Sequence, residues 1–159
     1  MERLTINISV TVCHYDELQT DERRLIDAAR EATDNSYSPY SHFSVGAAVR
    51  LEDGTVIRGA NQENAAFSVT ICAERAAIFN AQSNYPQLAV THIAVAARNA
   101  DGFVDNPVTP CGSCRQALLE LEQRYGRDIK VYLCGSDMIY VLDNVKSLLP
   151  LSFVDDSMR

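Results

Sequence analysis

Three of the five cysteines stand at the starts of predicted helices, where a thiol can serve as a metal ligand. Cys72 opens "CAERAAIF", and Cys111 and Cys114 form a C-x-x-C that opens "CGSCRQALLELEQ". The unpaired N–H groups and partial positive charge of a helix N-terminus lower the pKa of a thiol and stabilise the thiolate. Two such helix starts facing each other could therefore present three sulfurs to one Zn²⁺.

The same cysteines allow other interpretations. The C-x-x-C alone also fits a thioredoxin-like redox pair, and Cys72 alone fits a small buried thiol. A fourth protein ligand would close a zinc site and make it structural, whereas three ligands leave a position for water, as in catalytic sites. The poor candidates for a fourth ligand, which lie in strands or lack ligand spacing, are Cys13, Cys134, His14, His42 and His92. An open three-cysteine site is therefore favoured.

Two charged residues follow Cys72 and fit such a site. Glu74 could simply be a first-turn acid favoured by the helix dipole, but beside a zinc-activated water its carboxylate could move protons. Arg75 is three residues from Cys72 and should lie on the same helical face. Three thiolates around Zn²⁺ carry a net charge of about −1, which a guanidinium would offset. We expect Arg75 to donate to a thiolate sulfur.

Composition excludes several classes of partner. The chain has 159 residues, is 47% hydrophobic and carries a net charge of −7 without a basic run, which disfavours nucleic acids and anionic membranes. Its apolar stretches are far shorter than a membrane span. The N-terminus alternates apolar and polar residues over 4–12, which predicts a strand rather than an export signal. We expect a cytoplasmic protein with reduced cysteines.

The pattern along the chain predicts a single α/β domain over residues 1–159. Helices are predicted over about 72–83 and in "CGSCRQALLELEQRY", with a further helix near the N-terminus. "FSVGAAVRL" and "TVIRGAN" flank Asp53-Gly54 as a hairpin, and "IKVYLCG" and "MIYVLD" are joined by a turn too short for anything but antiparallel pairing. We expect a mixed five-stranded sheet with helices on both faces, a core over 16–153, and an N-terminal strand extension over 1–15.

The motifs together resemble the zinc-dependent cytidine deaminases that act on free nucleosides. "CAER" and "PCGSCRQ" carry the resemblance, and "YSPYSHFSVGAAV", "GANQENAAFSVTICAERAAI" and "LLPLSF" extend it in the family's order over most of the chain. The resemblance implies that Cys72, Cys111 and Cys114 hold one Zn²⁺ per subunit and that Glu74 is the proton shuttle. It also implies hydrolysis of cytidine and 2′-deoxycytidine in pyrimidine salvage.

The resemblance implies substrate contacts as well. Asn61 and Glu63 match the pair that hydrogen-bonds the ribose hydroxyls, and a carboxylate there would repel a phosphate. Phe43 matches an aromatic residue against the pyrimidine, and the backbone of Ala73 matches a contact to the base edge.

Further matches imply a homotetramer whose active sites are shared between subunits. The positions that reach a neighbouring subunit's site are Ala65, Phe67 and Phe153. Phe67 stands where many members have Tyr, which removes a hydroxyl. Leu151 replaces a small residue usual in the tail motif, so the local path of the tail is an open question.

Three alternative functions compete with this one. A deaminase of another cytosine nucleoside, such as a nucleoside antibiotic, would share the zinc motifs. Polynucleotide and nucleotide deaminases typically have His as the first ligand and need basic residues near the site, which Cys72 and the acidic charge balance oppose. A binding protein with a purely structural zinc site would hold the same metal without releasing ammonia.

Overall fold

The computed structural model describes residues 1–158 as three α-helices and seven β-strands, connected by loops and short 3₁₀ helices. The helices are α1 (Thr20–Ala32), α2 (Ala73–Asn84) and α3 (Gly112–Tyr125). The strands are β1 (Thr11–His14), β2 (Ser44–Leu51), β3 (Val56–Ala60), β4 (Val90–Asn99), β5 (Gly102–Phe103), β6 (Lys130–Cys134) and β7 (Met138–Leu142).

The strands form one mixed sheet in the order β1-β7-β6-β4-β2-β3, with the two-residue β5 paired to the end of β4. Only β4 and β6 run parallel, and α3 lies between them in the chain. The predicted hairpins are both confirmed, because β2 pairs antiparallel with β3 and β6 pairs antiparallel with β7. The expected α/β fold with a mixed sheet is therefore confirmed.

The expected extra N-terminal strand is present as β1, at the edge of the sheet, but its predicted extent over 4–12 is wrong. The strand begins only at Thr11, which pairs with Val141, while residues 1–10 have no strand assignment and are exposed. Its partner β7 ends at Leu142, one residue past Val141, so at most one more N-terminal residue could pair with it. Alternating apolar residues can mark one face of a strand, but the strand needs a partner edge to form.

The two faces of the sheet bury different helices, as expected. On one face α1 packs Leu25 and Ile26 against Ala48, Ala94 and Tyr132 of the strands. On the other, α2 and α3 cover a larger core, which includes Ala47, Val49, Ile78, Val95, Leu118 and Leu133. Successive residues of β2 thus serve opposite cores, as the period of two in a strand requires.

Glycine sets how closely α2 approaches the sheet. A Cβ on Gly59 of β3 would clash with the backbone of Ala73 and Ala77 in α2. Only glycine permits this contact, which brings the first turn of α2 against the sheet. No helix within residues 1–158 combines the length and apolar character needed to cross a membrane.

Candidate active site and metal centre

The three predicted ligand cysteines all lie in the first turns of two helices. Cys72 and Cys111 are the N-cap residues of α2 and α3, and both have extended backbone conformations. Their carbonyls accept the first helical hydrogen bonds, from Ala76 N and Arg115 N, each at 3.0 Å. Cys114 follows in the first turn of α3, where it is buried. The two helix N-termini therefore meet at the sulfurs, as predicted from the sequence.

The spacing of the sulfurs fits a tetrahedral zinc ion. Cys72 Sγ lies 3.8 Å from Cys111 Sγ, and Cys111 Sγ lies 3.5 Å from Cys114 Sγ. A tetrahedral Zn²⁺ with Zn–S bonds of about 2.3 Å would hold its sulfurs roughly 3.8 Å apart. Within residues 1–158, no histidine or carboxylate joins this group of three. A redox pair needs only two sulfurs, so the position of Cys72 favours a metal centre over that alternative.

Positive charge and thiol hydrogen bonds stabilise a thiolate at Cys72. Arg75 Nη2 donates to Cys72 Sγ at 3.6 Å, which is the contact predicted for it. Hydrogen bonding by Cys114, followed by that from Arg75 and Cys111, lowers the pKa of Cys72 to about 5. A low thiol pKa is what metal ligation requires, since the thiolate is the ligand.

Glu74 is a buried carboxylate beside the sulfurs. It is only 4% exposed, and it lines the cavity in front of Cys72 and Cys111. Burial raises the pKa of Glu74, and negative charge on Cys72 adds to the rise, while hydrogen bonds to the carboxyl from the Glu74 backbone and from Cys114 oppose it. A raised pKa makes the carboxylate a better proton acceptor.

A cavity of about 270 Å³ opens in front of these groups. The predicted site residues that line it are Phe43, Asn61, Glu63, Cys72, Ala73, Glu74 and Cys111. Residues 43 to 63 reach it from the β2–β3 side, and 72 to 74 and 111 reach it from the two helix starts. The sequence motifs, which are far apart in the chain, thus converge on one chamber of mixed apolar and polar character.

Asn61 is both a wall of the cavity and a structural crosslink. Its Oδ1 accepts from Ser36 Oγ at 2.6 Å and from Val45 N at 2.8 Å, and its Nδ2 donates to Phe43 O at 3.0 Å. These contacts use both oxygen lone pairs and one of the two amide N–H groups. The second N–H is not used in them and is the part of Asn61 suited to a ligand hydroxyl.

Glu63 also holds a loop while it faces the cavity. Its Oε2 accepts from Tyr40 N at 2.9 Å and Ser41 N at 3.2 Å, and its Oε1 accepts from the Ser41 hydroxyl. These hydrogen bonds, the Ser41 hydroxyl first, lower the pKa of Glu63. The side chain therefore stays ionised at neutral pH, in keeping with the expectation that it repels a phosphate. His42 completes this turn in a left-handed conformation, with φ of 54°.

Three of the predicted substrate-contact residues lie outside the cavity. Phe67 is 77% exposed and borders a second, adjoining cavity of about 430 Å³ together with Tyr40, Ser41 and Glu63. Ala65 is exposed on the same loop, and Phe153 is 61% exposed on the C-terminal tail. None of the three touches the chamber before the sulfurs in this chain.

Several lining residues were not identified from the sequence. They are Ser41, Val45, Thr70, Ile71, Val95, Val108 and Thr109. Ser41 stands two residues before Phe43 and Thr109 two before Cys111, so their nearness to motif residues was a usable signal. Val95 gave no such signal, because it is one apolar residue among many in β4 and reaches the cavity only through the sheet.

Comparison with known proteins supports the family resemblance found in the sequence. The family model for the cytidine and deoxycytidylate deaminase zinc-binding region matches residues 19–126. A cytidine deaminase of Halalkalibacterium halodurans is 44% identical over 139 residues, which cover 87% of this chain and 98% of that protein. A probable cytidine deaminase of Dictyostelium discoideum is 34% identical, over 88% of both chains. The crystal structure of cytidine deaminase from Burkholderia pseudomallei superimposes with a TM-score of 0.71 at 36% identity, covering 82% of this chain and 97% of that one.

Proposed function

Because this chain belongs to the cytidine and deoxycytidylate deaminase family, we propose that it hydrolyses cytidine and 2′-deoxycytidine to uridine and 2′-deoxyuridine, with release of ammonia. It is a zinc-dependent hydrolytic deaminase that acts on a nucleoside. The observation that carries the proposal is the buried Glu74, which lines the same chamber as Cys72 and Cys111 of the three-cysteine group.

The metal supplies one part of the chemistry. Cys72, Cys111 and Cys114 would hold Zn²⁺, and the bound metal would supply hydroxide near neutral pH. Arg75 offsets the negative charge of the three thiolates through its hydrogen bond to Cys72. An uncompensated anionic site would oppose formation of hydroxide.

Glu74 moves the protons. As a carboxylate it accepts a proton from the attacking water and delivers it to N3 of the cytosine ring, while the hydroxide oxygen bonds to C4. The resulting tetrahedral carbon carries both a hydroxyl and the amine. Glu74 then takes the hydroxyl proton and gives it to the amine, the C4–N bond breaks, and ammonia leaves the 4-carbonyl of uridine. One water is consumed for each ammonia released.

The rest of the chamber orients the nucleoside. We assign Asn61 and Glu63 to the sugar hydroxyls, Phe43 to the face of the pyrimidine and the backbone of Ala73 to its edge. The free amide N–H of Asn61 and the ionised Glu63 support this assignment, since a neutral sugar needs both donors and acceptors. Holding the pyrimidine ring close to the attacking oxygen lowers the activation free energy, because the reacting groups are already positioned.

An ultraviolet assay over five compounds tests the proposal. We expect turnover of cytidine and 2′-deoxycytidine, and essentially none of cytidine monophosphate, cytosine or adenosine. Strong turnover of the monophosphate would contradict the role of Glu63. A zinc-loaded protein that released no ammonia from any cytosine nucleoside would instead be a structural-zinc binding protein, and turnover only of a modified cytosine nucleoside would favour the antibiotic alternative.

We further propose a homotetramer in which Ala65, Phe67 and Phe153 complete the site of a neighbouring subunit. Their exposure outside the chamber supports this, because large exposed apolar side chains near a site commonly mark an interface. An aromatic wall from a neighbour would exclude water from the base.

Hybrid tetramers test the shared site. Phe153→Ala should reduce cytidine turnover at full zinc content, and Glu74→Gln should be nearly inactive. After subunit exchange between the two, a site with intact Glu74 can borrow an intact Phe153, so activity should exceed the sum of the parents. No recovery in hybrids verified by mass would place Phe153 within its own subunit's site or outside the site altogether.

A further inference from the structure

The two residues that follow the ligand Cys114 bind the C-terminal tail, defined here as residues 143–158. Arg115 Nη1 donates to Leu148 O at 2.7 Å, and Gln116 Nε2 donates to Phe153 O at 3.0 Å. Arg115 Nε also donates to Pro110 O at 2.9 Å. The Arg115 guanidinium thus joins Pro110, the residue before Cys111, to Leu148 of the tail. The side-chain amide of Gln116 binds the tail five residues further on, at Phe153.

The stretch between these two anchor points contains an unfavourable backbone conformation. Leu151 has a φ of 55°, in the left-handed region that non-glycine residues avoid. Its side chain is 83% exposed, so side-chain packing within this chain does not compensate. Such a conformation persists only where the surroundings determine it. The hydrogen bonds to Leu148 and Phe153 bracket Leu151 and supply that constraint.

We propose that Arg115 and Gln116 are positioning residues that fix the path of the tail, and with it Phe153, relative to the metal-ligand turn of α3. The hydrogen bond from Gln116 to Phe153 O fixes the C-terminal side of the strained turn at Leu151. Arg115 ties the same tail to the backbone that precedes Cys111. The catalytic consequence rests on the function proposed above, whereas the structural consequence can be measured without activity.

Hydrogen exchange measures the structural consequence. Tail amides that should be protected include Leu149 N, bonded to Lys146 O at 3.1 Å, and Ser157 N, bonded to Val154 O at 2.8 Å. Gln116→Met keeps the side-chain length and removes the donor, and it should speed exchange in the tail about fivefold, the contribution of one net hydrogen bond. Gln123→Met, at an exposed position of the same helix, is the matched control and should leave the tail unchanged.

Arg115 is tested by a conservative change. Lysine keeps the charge but lacks the planar fork that reaches two carbonyls at once. Arg115→Lys should therefore speed tail exchange and also release zinc faster to a competing chelator, while Arg124→Lys on the same helix should do neither. Tail exchange that stayed at the wild-type rate in both Gln116→Met and Arg115→Lys would overturn the proposal.

Kinetics and a second substitution complete the test. In Gln116→Met we expect full zinc content and a fall of about fivefold in kcat/KM for cytidine, expressed mainly as a higher KM. Leu151→Gly removes the backbone strain, so the Gln116→Met loss should be smaller in that background. If the effects of Gln116→Met and Leu151→Gly on kcat/KM simply multiply in the double variant, the link between the Gln116 hydrogen bond and the strain at Leu151 is refuted. Failure of the wild-type protein to deaminate cytidine would refute the proposed function, and the exchange measurement would still decide the role of Gln116.

Discussion

Replacing Glu74 by Gln is the most direct test of the chemistry, because it removes one proton acceptor and almost nothing else. The side chain is 4% exposed in the first turn of α2, and Gln has nearly the same shape and volume. Burial raises the pKa of Glu74, which means that ionising it costs free energy in the folded protein. A neutral amide avoids that cost, so the free energy of unfolding should stay unchanged or rise slightly.

The loss of activity should be large. A general acid–base group contributes roughly 10²- to 10⁴-fold to a rate. Glu74 is proposed to serve proton transfers both to the ring and to the leaving amine, so the fall in kcat should reach or exceed about 10⁴-fold, or about 5 kcal/mol in the activation free energy. Uridine formation at saturating cytidine measures kcat, metal analysis measures zinc per chain, and thermal unfolding measures stability.

The chain offers a matched control in Glu122. It is equally buried, and burial likewise raises the pKa of Glu122, but it lies near the end of α3, away from the cavity lining. Its Oε1 accepts from Ile129 N at 2.9 Å and Val145 N at 2.6 Å, and a Gln oxygen can accept the same two bonds. Glu122→Gln should keep kcat within about twofold. Near-normal kcat in zinc-loaded Glu74→Gln would refute the shuttle and return Glu74 to the role of a helix-start acid.

Three further predictions concern the metal, the frame of the site and acid stability. Cys111→Ala should lose zinc by metal analysis and unfold at a lower temperature, whereas Cys134→Ala should keep one zinc per chain; zinc loss from the latter would mean a closed, structural site. Asn61→Ala should lower the free energy of unfolding in urea by about 2 kcal/mol, because it strips the partly buried Val45 N and Phe43 O of their partner; an unchanged urea midpoint would refute the role of Asn61 as a crosslink. Burial opposes ionisation of Glu22, but hydrogen bonds, first from Tyr132, lower its pKa from 4.5 to about 2. The stability it provides should be present above pH 4.5 and lost as the pH falls towards 2, and Glu22→Gln should flatten this part of the stability curve.

The metal centre could be predicted from the sequence because its geometry is mostly local. Cys111 and Cys114 occupy the N-cap and first turn of one helix, and Cys72 the N-cap of another. A helix start fixes the direction of its first residues and offers unpaired N–H groups wherever it occurs. What the sequence could not give is how closely α2 approaches the sheet, which depends on a long-range feature, the contact of Gly59 with α2.

The extent of the N-terminal strand was mispredicted for the opposite reason. Alternation over residues 4–12 is a property of that segment alone, whereas a strand exists only where a neighbour's backbone is free to pair. The neighbour, β7, ends at Leu142, and the prediction had no means of knowing this. The same dependence on partners left the path of the tail open at Leu151.

Asn61 and Glu63 show why a residue's assigned role and its structural role need not compete. The resemblance assigned both to the sugar, yet most of their oxygen lone pairs bind the chain itself, at Ser36, Val45, Tyr40 and Ser41. These bonds fix the side chains in one rotamer before any ligand arrives, so binding need not order them. Both residues also line the cavity. A polar residue that anchors its own loop is therefore a better ligand for a neutral sugar than a free one, and the loop it anchors carries Phe43 to the same chamber.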